Sequence, residues 1–277
     1  HMFFGPERLV EMRRFILSDT REKRIEALNQ IREYQTEDFE EILRLSGSRP
    51  TIIRLLDPPL HEFLPKSEEE KAVVAKQLNV SGRTLTQYIE NLEEVNPMLG
   101  HRGCRLAITY PELYIMQTEA IIKSALYLKS QGIHCQPEIM IPLVSTVSEF
   151  TILKNQINER IETLFEEHGE SLHYLIGTMI ETPRACLIAG DLARECDFFS
   201  FGTNDLTQLT FGFSRDDAGK FIGAYAEQGI LDTDPFQTLD QHGVGQLVKT
   251  ATEQAKAINP TIKIGVCGEL GGDHKSI

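Results

Sequence analysis

The fold is decided by the stretch Leu175-Ile-Gly-Thr-Met-Ile-Glu181, which is followed directly by Thr-Pro183. A short, mostly apolar run of this kind predicts a strand that is buried on both faces. Proline at the first turn of the next segment predicts that a helix follows at once. A buried strand that leads straight into a helix is the unit of a parallel sheet, and here the strand ends on a carboxylate.

The same unit recurs along the chain. Five short apolar runs predict five strands, over residues 51–57, 138–144, 175–181, 198–205 and 263–269. Segments with helical periodicity separate several of them, over residues 119–130, 148–168 and 183–196. Because strands alternate with helices, the sequence predicts an α/β protein with a parallel sheet.

Two sheet topologies remain open at this point. Five strands between residues 51 and 268 amount to roughly 44 residues per strand–helix unit, so a barrel of eight units would need roughly 350 residues. The chain has 277 residues, which favours an open, doubly wound sheet. Polar residues at the ends of the strands favour the (β/α)8 barrel instead.

Two regions outside this alternation are predicted to be helical. Residues 1–48 place apolar side chains at helical spacing up to Gly47, and residues 65–99 form an insert that opens with the capping box Ser67-Glu-Glu-Glu70. We assign the whole chain, residues 1–277, to one barrel domain that carries these additions.

The sequence pattern of residues 74–84 within the insert is also typical of a DNA-binding helix-turn-helix. Its charge opposes that interpretation, because Lys71, Lys76 and Arg83 are outnumbered by glutamates, whereas DNA recognition favours a basic surface. We therefore interpret the insert as a helical cover.

Composition excludes several classes of protein. The net charge of −13 disfavours general binding to nucleic acid, and the apolar runs are shorter than a membrane span. The five cysteines include no Cys-x-x-Cys pair, which argues against a disulfide framework or a zinc ribbon. Without a signal-peptide pattern at the start, these features predict a reducing, cytoplasmic location.

Polar side chains stand at the carboxyl ends of the predicted strands. In a parallel barrel this edge carries the loops that build the active site, so charges there are reachable while each strand stays buried. The alternative is that each residue caps a helix or lies in an exposed loop; taken together, the set favours a functional site. The residues are Arg54, Asp57, Glu181, Asn204, Asp205 and Glu269.

These residue types indicate a metal and a small anion. Glu181 and Asp205 supply two carboxylates from neighbouring strands, a set that suits Mg²⁺ because this ion accepts one or two protein carboxylates together with substrate oxygens. Arg54, Arg102 and Arg105 supply guanidinium groups that bind carboxylate or phosphate. On an acidic protein, this combination predicts a small anionic substrate.

Other candidates are weaker. The stretch Gly202-Thr-Asn204 could hold an oxyanion but is also common in plain turns. His101 and Cys104 have a spacing that metals sometimes use, although such a pair is more often structural. Residues 212–220 do not match a phosphate loop, because six residues rather than four separate Gly212 from Gly219 and Phe221 replaces Ser or Thr.

Five stretches carry a resemblance to a known family. They are Arg54-Leu-Leu-Asp-Pro-Pro-Leu-His-Glu-Phe63, Asn96-Pro-Met-Leu-Gly-His-Arg-Gly-Cys-Arg-Leu106, Gly177-Thr-Met-Ile-Glu-Thr-Pro-Arg184, Phe199-Ser-Phe-Gly-Thr-Asn-Asp-Leu-Thr-Gln208 and Cys267-Gly-Glu269. They resemble the phosphoenolpyruvate/pyruvate-binding barrel of the pyruvate phosphate dikinase family, and the resemblance extends over essentially the whole chain. The related phosphoenolpyruvate synthases and the enzyme I of sugar transport share motifs in the fourth and the fifth.

The resemblance implies phosphoryl transfer between a phosphohistidine and pyruvate or its enolate. At the matching positions, Arg54 and Arg102 would hold the transferring phosphoryl group, Glu181 and Asp205 would ligate Mg²⁺, and Gly202, Thr203 and Asn204 would position the substrate together with Glu181 and Asp205. The partners implied are pyruvate or phosphoenolpyruvate and a phosphohistidine carrier domain.

The resemblance also implies an incomplete barrel. The five predicted strands would be the middle five of eight, so we expect that this chain is not competent for the full dikinase reaction by itself. Its open sheet edges predict association, with a homodimer as the expected state. The alternatives are a binding module that holds phosphoenolpyruvate without catalysis and a relative closer to the synthases or enzyme I.

Overall fold

The computed structural model describes residues 2–274 and 276, which form two compact units. Unit 1 comprises residues 1–138 and 153–174, and unit 2 comprises residues 139–152 and 175–277. The five strands follow one another in one sheet in the order in which they occur along the chain. This order lacks the reversal that characterises doubly wound sheets, so the predicted α/β class is confirmed with the barrel type of succession.

Unit 1 is built mainly from helices. The elements are α1 (Pro6–Ile16), α2 (Arg21–Ser46), β1 (Pro50–Arg54), α3 (Glu68–Gln77), α4 (Gly82–Leu92), α5 (Gly103–Thr109) and α6 (Pro111–Ser130). The long helix α2 packs along α6 and against α1. It ends at Gly47, whose φ of 58° lies in the left-handed region that glycine adopts readily. The strand β2 (Gln136–Ile141) and the helix α7 (Val147–His168) have residues in both units.

Residues 65–99 contain the two helices α3 and α4, and each of them has a serine as its N-cap. The hydroxyl of Ser67 accepts from the N–H of Glu70, and the hydroxyl of Ser81 accepts from the N–H of Thr84. The two helices close over a small apolar cluster of Val74, Ala75 and Leu85.

Unit 2 carries the last three strands. β3 (Leu175–Ile180) pairs in parallel with β4 (Phe198–Gly202), which pairs in parallel with β5 (Lys263–Cys267). The helices of unit 2 are α8 (Pro183–Leu187), α9 (Ala189–Glu195), α10 (Thr203–Phe211), α11 (Ile222–Glu227) and α12 (Val244–Ile258). The helix α12 packs against α8 and α9.

Register places the carboxyl ends of these three strands at one edge. Ile180 lies opposite Phe201, and Gly202 lies opposite Cys267. The residues that immediately follow the strands, Glu181 and Thr203 among them, therefore leave the sheet on the same side.

Several predicted boundaries are wrong. β1 ends at Arg54, so Asp57 lies in the following loop, and the strand is not buried on both faces because Ile52 is 40% exposed. The predicted strand 198–205 ends at Gly202, since Thr203 already begins α10.

The remaining differences concern lengths. β2 begins at Gln136 and ends at Ile141, and β5 ends at Cys267 rather than at Glu269. The predicted helix 183–196 is broken at Ile188 into α8 and α9, and the helix predicted at 119–130 begins at Pro111. The sequence analysis missed α12, whose buried residues Val244, Ala251 and Ala255 follow a helical period.

None of the helices in the described part of the chain is long and apolar enough to cross a membrane.

Close packing of β3 against β4 requires glycine at position 177. A Cβ at Gly177 would lie 2.3 Å from the backbone oxygen of Phe198. Since this oxygen belongs to the paired strand, it cannot move without disturbing the sheet. We expect Gly177→Ala to lower the free energy of unfolding by about 1–3 kcal/mol, measured by urea denaturation.

Gly265→Ala on β5 is the matched control for this prediction. Its Cβ would meet only the side chain of Ser200, with Oγ at 3.4 Å and Cβ at 3.8 Å, which are ordinary contacts. We expect this variant to unfold at or slightly above the parent's urea concentration, because alanine restricts the unfolded chain. Equal stability of the two variants would contradict the packing described for Gly177.

Candidate functional site

The strand ends of unit 2 bring a buried carboxylate into a fixed position. Glu181, directly after β3, is 1% exposed, and its Oε1 accepts a hydrogen bond of 2.6 Å from the N–H of Leu143. Leu143 has a φ of 61°, a conformation that leucine rarely adopts. The backbone after β2 is therefore held in an unfavourable conformation that presents an N–H to Glu181, as is typical of functional sites.

Gly202 provides the space that the Glu181 side chain occupies. A Cβ at this position would lie 2.4 Å from Oε2 of Glu181 and 2.6 Å from Cε of Met179. The carboxylate of Glu181 thus lies against the last residue of β4, immediately before the first turn of α10. We call the set Glu181, Gly202, Thr203, Asn204 and Asp205 the carboxylate edge.

The first turn of α10 carries the other members of the carboxylate edge. Asn204 and Asp205 are half-buried, whereas the hydroxyl of Thr203 donates to the carbonyl of Cys267 at 3.1 Å. Gly268 has a φ of 98°, and a Cβ there would lie 2.6 Å from Oγ1 of Thr203. The turn after β5 therefore packs directly on this helix start, and Thr203 holds it there.

The donor set of the carboxylate edge fits a hard divalent cation. Glu181 and Asp205 offer carboxylate oxygens, and the neighbouring Asn204 offers an amide oxygen, which are the ligand types that Mg²⁺ takes. Among the described residues, no group of three or more His, Cys, Asp or Glu side chains is arranged to hold a metal. A site of two carboxylates leaves positions for substrate oxygens, as Mg²⁺ requires.

Unit 1 brings together two of the predicted arginines. Arg102, at the start of α5, donates from Nη2 to Oδ2 of Asp57 at 2.6 Å, and Arg54 donates from Nη1 to the same oxygen at 3.4 Å. The side chain of Arg102 is 3% exposed, whereas that of Arg54 is 42% exposed. We call Arg54, Asp57 and Arg102 the arginine cluster; its shared acceptor is Asp57.

Two side chains of α6 hold the backbone that carries Asp57. The N–H of Leu56 donates to Oε1 of Gln117 at 2.8 Å, and the hydroxyl of Tyr114 donates to the carbonyl of Leu56 at 2.7 Å. The carbonyl of Asp57 accepts from the N–H of Gly103 at 3.1 Å. The sequence analysis missed Tyr114 and Gln117, which stand beside apolar residues in the first half of α6.

Arg105 and His101 have structural contacts. Arg105 donates through Nη1 to the carbonyls of Leu99 and Gly100 at 2.8 and 2.9 Å, so it stabilises the turn before α5, and its role in anion binding stays a prediction. A ring nitrogen of His101 lies 2.6 Å from the hydroxyl of Thr109. Cys104 is fully buried, which agrees with the structural interpretation of this pair.

A fourth arginine lies near the end of β5. Arg215 donates to Oε1 of Glu269 at 2.7 Å, and its N–H donates to Oε1 of Gln208 on α10. Sequence reasoning noted Glu269 as a strand-end residue but missed Arg215. The pair ties the loop after α10 to the turn after β5.

The cysteine nearest to Glu181 in sequence is not a nucleophile at neutral pH. Cys186 is a buried residue of α8, and burial raises the pKa of its thiol to about 12. A thiol with so high a pKa is almost wholly protonated at neutral pH, and the thiolate is the reactive form.

Comparison of the sequence with known proteins assigns the chain to a family. The model of the PEP-utilising enzyme, PEP-binding domain, matches residues 6–277. The chain belongs to the PEP-utilising enzymes. Within this family it is 50% identical over 279 residues to "Pyruvate, phosphate dikinase 1, chloroplastic" of Arabidopsis thaliana and 50% identical over 278 residues to "Pyruvate, phosphate dikinase" of Clostridium symbiosum.

A third relative among the PEP-utilising enzymes, "Pyruvate, phosphate dikinase, chloroplastic" of Flaveria trinervia, is 52% identical over 280 residues. The three alignments cover all of this chain but only 29%, 32% and 29% of the relatives. The chain therefore spans about a third of the length of the dikinases it matches. Since chloroplastic and bacterial relatives both occur, the cytoplasmic location stays a prediction.

Proposed function

We propose that this chain carries the phosphoenolpyruvate/pyruvate site of a pyruvate, phosphate dikinase. The observation that supports the proposal best is the carboxylate of Glu181, which lies between the N–H of Leu143 and the glycine before the first turn of α10. A buried acid held in this way would bind a cation, and Asp205, half-buried in the first turn of α10, would supply a second carboxylate. The 50% identity to dikinases agrees with this role.

In the proposed site, Glu181 and Asp205 would hold Mg²⁺, and Asn204 would orient the substrate. When bound, Mg²⁺ supplies positive charge for the enolate oxygen and the carboxylate of pyruvate. The turn of Gly202, Thr203 and Asn204 positions the substrate by its shape, because Thr203 fixes the start of α10 through its bond to Cys267.

The arginine cluster would bind the transferring phosphoryl group. Arg102 is held almost fully buried by Asp57, so its guanidinium group keeps a fixed position, while the half-exposed Arg54 can turn towards an anion. Guanidinium groups neutralise phosphoryl oxygens and bind them in pairs. The hydrogen bond to Asp57 would fix where Arg102 presents its guanidinium group to the phosphoryl group.

The reaction of the whole protein is part of the same proposal. A phosphohistidine carrier domain would exchange its phosphoryl group with pyruvate, within an overall conversion of ATP, pyruvate and phosphate to AMP, phosphoenolpyruvate and pyrophosphate. Binding of phosphoenolpyruvate without exchange with such a carrier would instead support the binding module. Homodimer formation also stays a prediction.

Thermal unfolding followed by circular dichroism tests the proposed site, and the chain has no Trp to serve as a fluorescent probe. With Mg²⁺ and phosphoenolpyruvate at about 100 times their dissociation constant, we expect the midpoint to rise by about 5–10 °C, because a ligand that binds only the native state stabilises it. Asp205→Asn should abolish the rise, since it removes one metal-binding carboxylate.

Asp191→Asn is the control for Asp205→Asn. Asp191 is also an aspartate near the start of a helix of unit 2, but its side chain is 69% exposed on α9. This variant should keep the full rise. The same rise in Asp205→Asn as in the parent, or no rise in the parent, would contradict the proposed site.

A further inference from the structure

Gln35 interrupts the apolar stripe by which α2 packs into unit 1. The stripe consists of Leu28, Ile31, Phe39 and Leu43, all at most 2% exposed, and Gln35 itself is 1% exposed. Within residues 2–274 and 276, no group makes a hydrogen bond to either Nε2 or Oε1 of its amide. A buried amide without partners destabilises a protein, whereas a leucine here would extend the stripe. The amide therefore needs a partner that both donates and accepts.

A second buried polar atom, Oδ1 of Asp57, also needs a hydrogen-bond partner. Oδ1 of Asp57 is buried and has no hydrogen-bond partner among the described residues, while Oδ2 accepts from Arg102. Gln35 and Asp57 line one cavity of about 210 Å³, together with Gln117 and the end of β1. The cavity has room for several water molecules, which occupy ~30 Å³ each in the liquid.

The hydrogen bonds that Oδ1 of Asp57 and the Gln35 amide can make determine which molecule fits the cavity. Oδ1 of Asp57 only accepts hydrogen bonds, so the occupant must donate to it. The amide of Gln35 presents both a donor and an acceptor, so the occupant must also accept. An apolar molecule satisfies neither group, and a fully ionised anion has no proton to donate to Oδ1 of Asp57. Water satisfies both, and polar cavities of this size hold ordered water in proteins.

We propose that ordered water in this cavity links the Gln35 amide to Oδ1 of Asp57, and that Gln35 thereby positions the arginine cluster. The link restrains rotation of the carboxylate, so that Oδ2 keeps facing Arg102 and Arg54 at 2.6 and 3.4 Å. The water link stands on the structure alone, whereas the positioning of an anion-binding arginine rests on the proposed function.

The sign of a stability change tests the water link. Gln35→Met keeps the length of the side chain but removes both polar atoms. If water links the groups, methionine breaks its hydrogen bonds, and we expect the urea midpoint of unfolding to fall. If the amide is merely unbonded, methionine removes a buried polar group and the midpoint rises, which would overturn the proposal. Leu28→Met, in the same stripe, is the control and should change the midpoint little.

Nuclear magnetic resonance gives a second, direct readout on the parent protein. The Nε2 protons of Gln35 should show Overhauser contacts to water that stays bound longer than the tumbling of the protein. Absence of such contacts would overturn the water link even if Gln35→Met were too unstable to study.

Ligand binding tests the positioning role. We expect Gln35→Met to weaken the binding of phosphoenolpyruvate severalfold in calorimetric titrations, and Leu28→Met to leave it unchanged. Unchanged affinity in Gln35→Met would overturn the positioning role. If the parent itself binds no phosphoenolpyruvate, the proposed function fails, while the unfolding and resonance experiments still decide on the water link.

Discussion

Gly202→Ala should strongly weaken the binding of Mg²⁺ and phosphoenolpyruvate while leaving the protein folded. The added Cβ would lie 2.4 Å from Oε2 and 2.8 Å from Cβ of Glu181. Because Glu181 is almost fully buried and bonded to Leu143, its carboxylate can move only by breaking that bond. We expect a loss of metal affinity of at least about 10- to 100-fold, as when the groups that orient metal ligands are removed.

The accompanying loss of stability should be moderate, about 1–3 kcal/mol, since a methyl group is forced into a packed site. Calorimetric titration with Mg²⁺ and phosphoenolpyruvate measures the affinity, and urea denaturation measures the stability. Gly223→Ala is the control, because a Cβ on this helix of unit 2 would meet no atom within 4 Å. Parent-like affinity in Gly202→Ala would show that the position of Glu181 is not important for binding.

Asp57→Asn should destabilise the protein more than any change to a surface ion pair. Asp57 and Arg102 have side chains that are 7% and 3% exposed, so loss of the carboxylate leaves a buried guanidinium without its counter-charge. Breaking a buried pair on one side costs about 3–5 kcal/mol. The free energy of unfolding in urea is the measurement, and the affinity for phosphoenolpyruvate should fall with it.

The comparison for Asp57→Asn is Glu253→Gln. Glu253 faces Lys249 across one turn of α12 at 4.0 Å, with both side chains about two-thirds exposed, so its loss should cost under about 1 kcal/mol. Similar costs for the two variants would contradict the account of Asp57 as the buried acceptor that fixes Arg102.

Charged residues beside apolar runs could be predicted as site candidates from the sequence. Glu181 follows a buried strand, and Asp205 follows the next, so their chemistry was visible without coordinates. The positions that these two side chains take in the structure could not be predicted. That Asp205 lies in the first turn of α10 depends on where β4 ends, and tertiary packing rather than local composition decides such a boundary.

Contacts between distant residues explain the rest of what sequence reasoning missed. Leu143 has a left-handed conformation, and its N–H donates to Glu181, which lies 38 residues further along the chain. Gln117 holds the backbone of Leu56 across a separation of 61 residues. By contrast, the periodicity of α12 was present in the sequence, and that helix could have been predicted.

A titration with Mn²⁺, followed by electron paramagnetic resonance, tests most directly whether the carboxylate edge is a metal site. Mn²⁺ shares the oxygen ligands of Mg²⁺ and carries an observable signal. We predict one bound ion per chain in the presence of phosphoenolpyruvate, and its loss in a variant with both Glu181→Gln and Asp205→Asn. Stoichiometric binding that survives in this double variant, or no binding by the parent, would contradict the account.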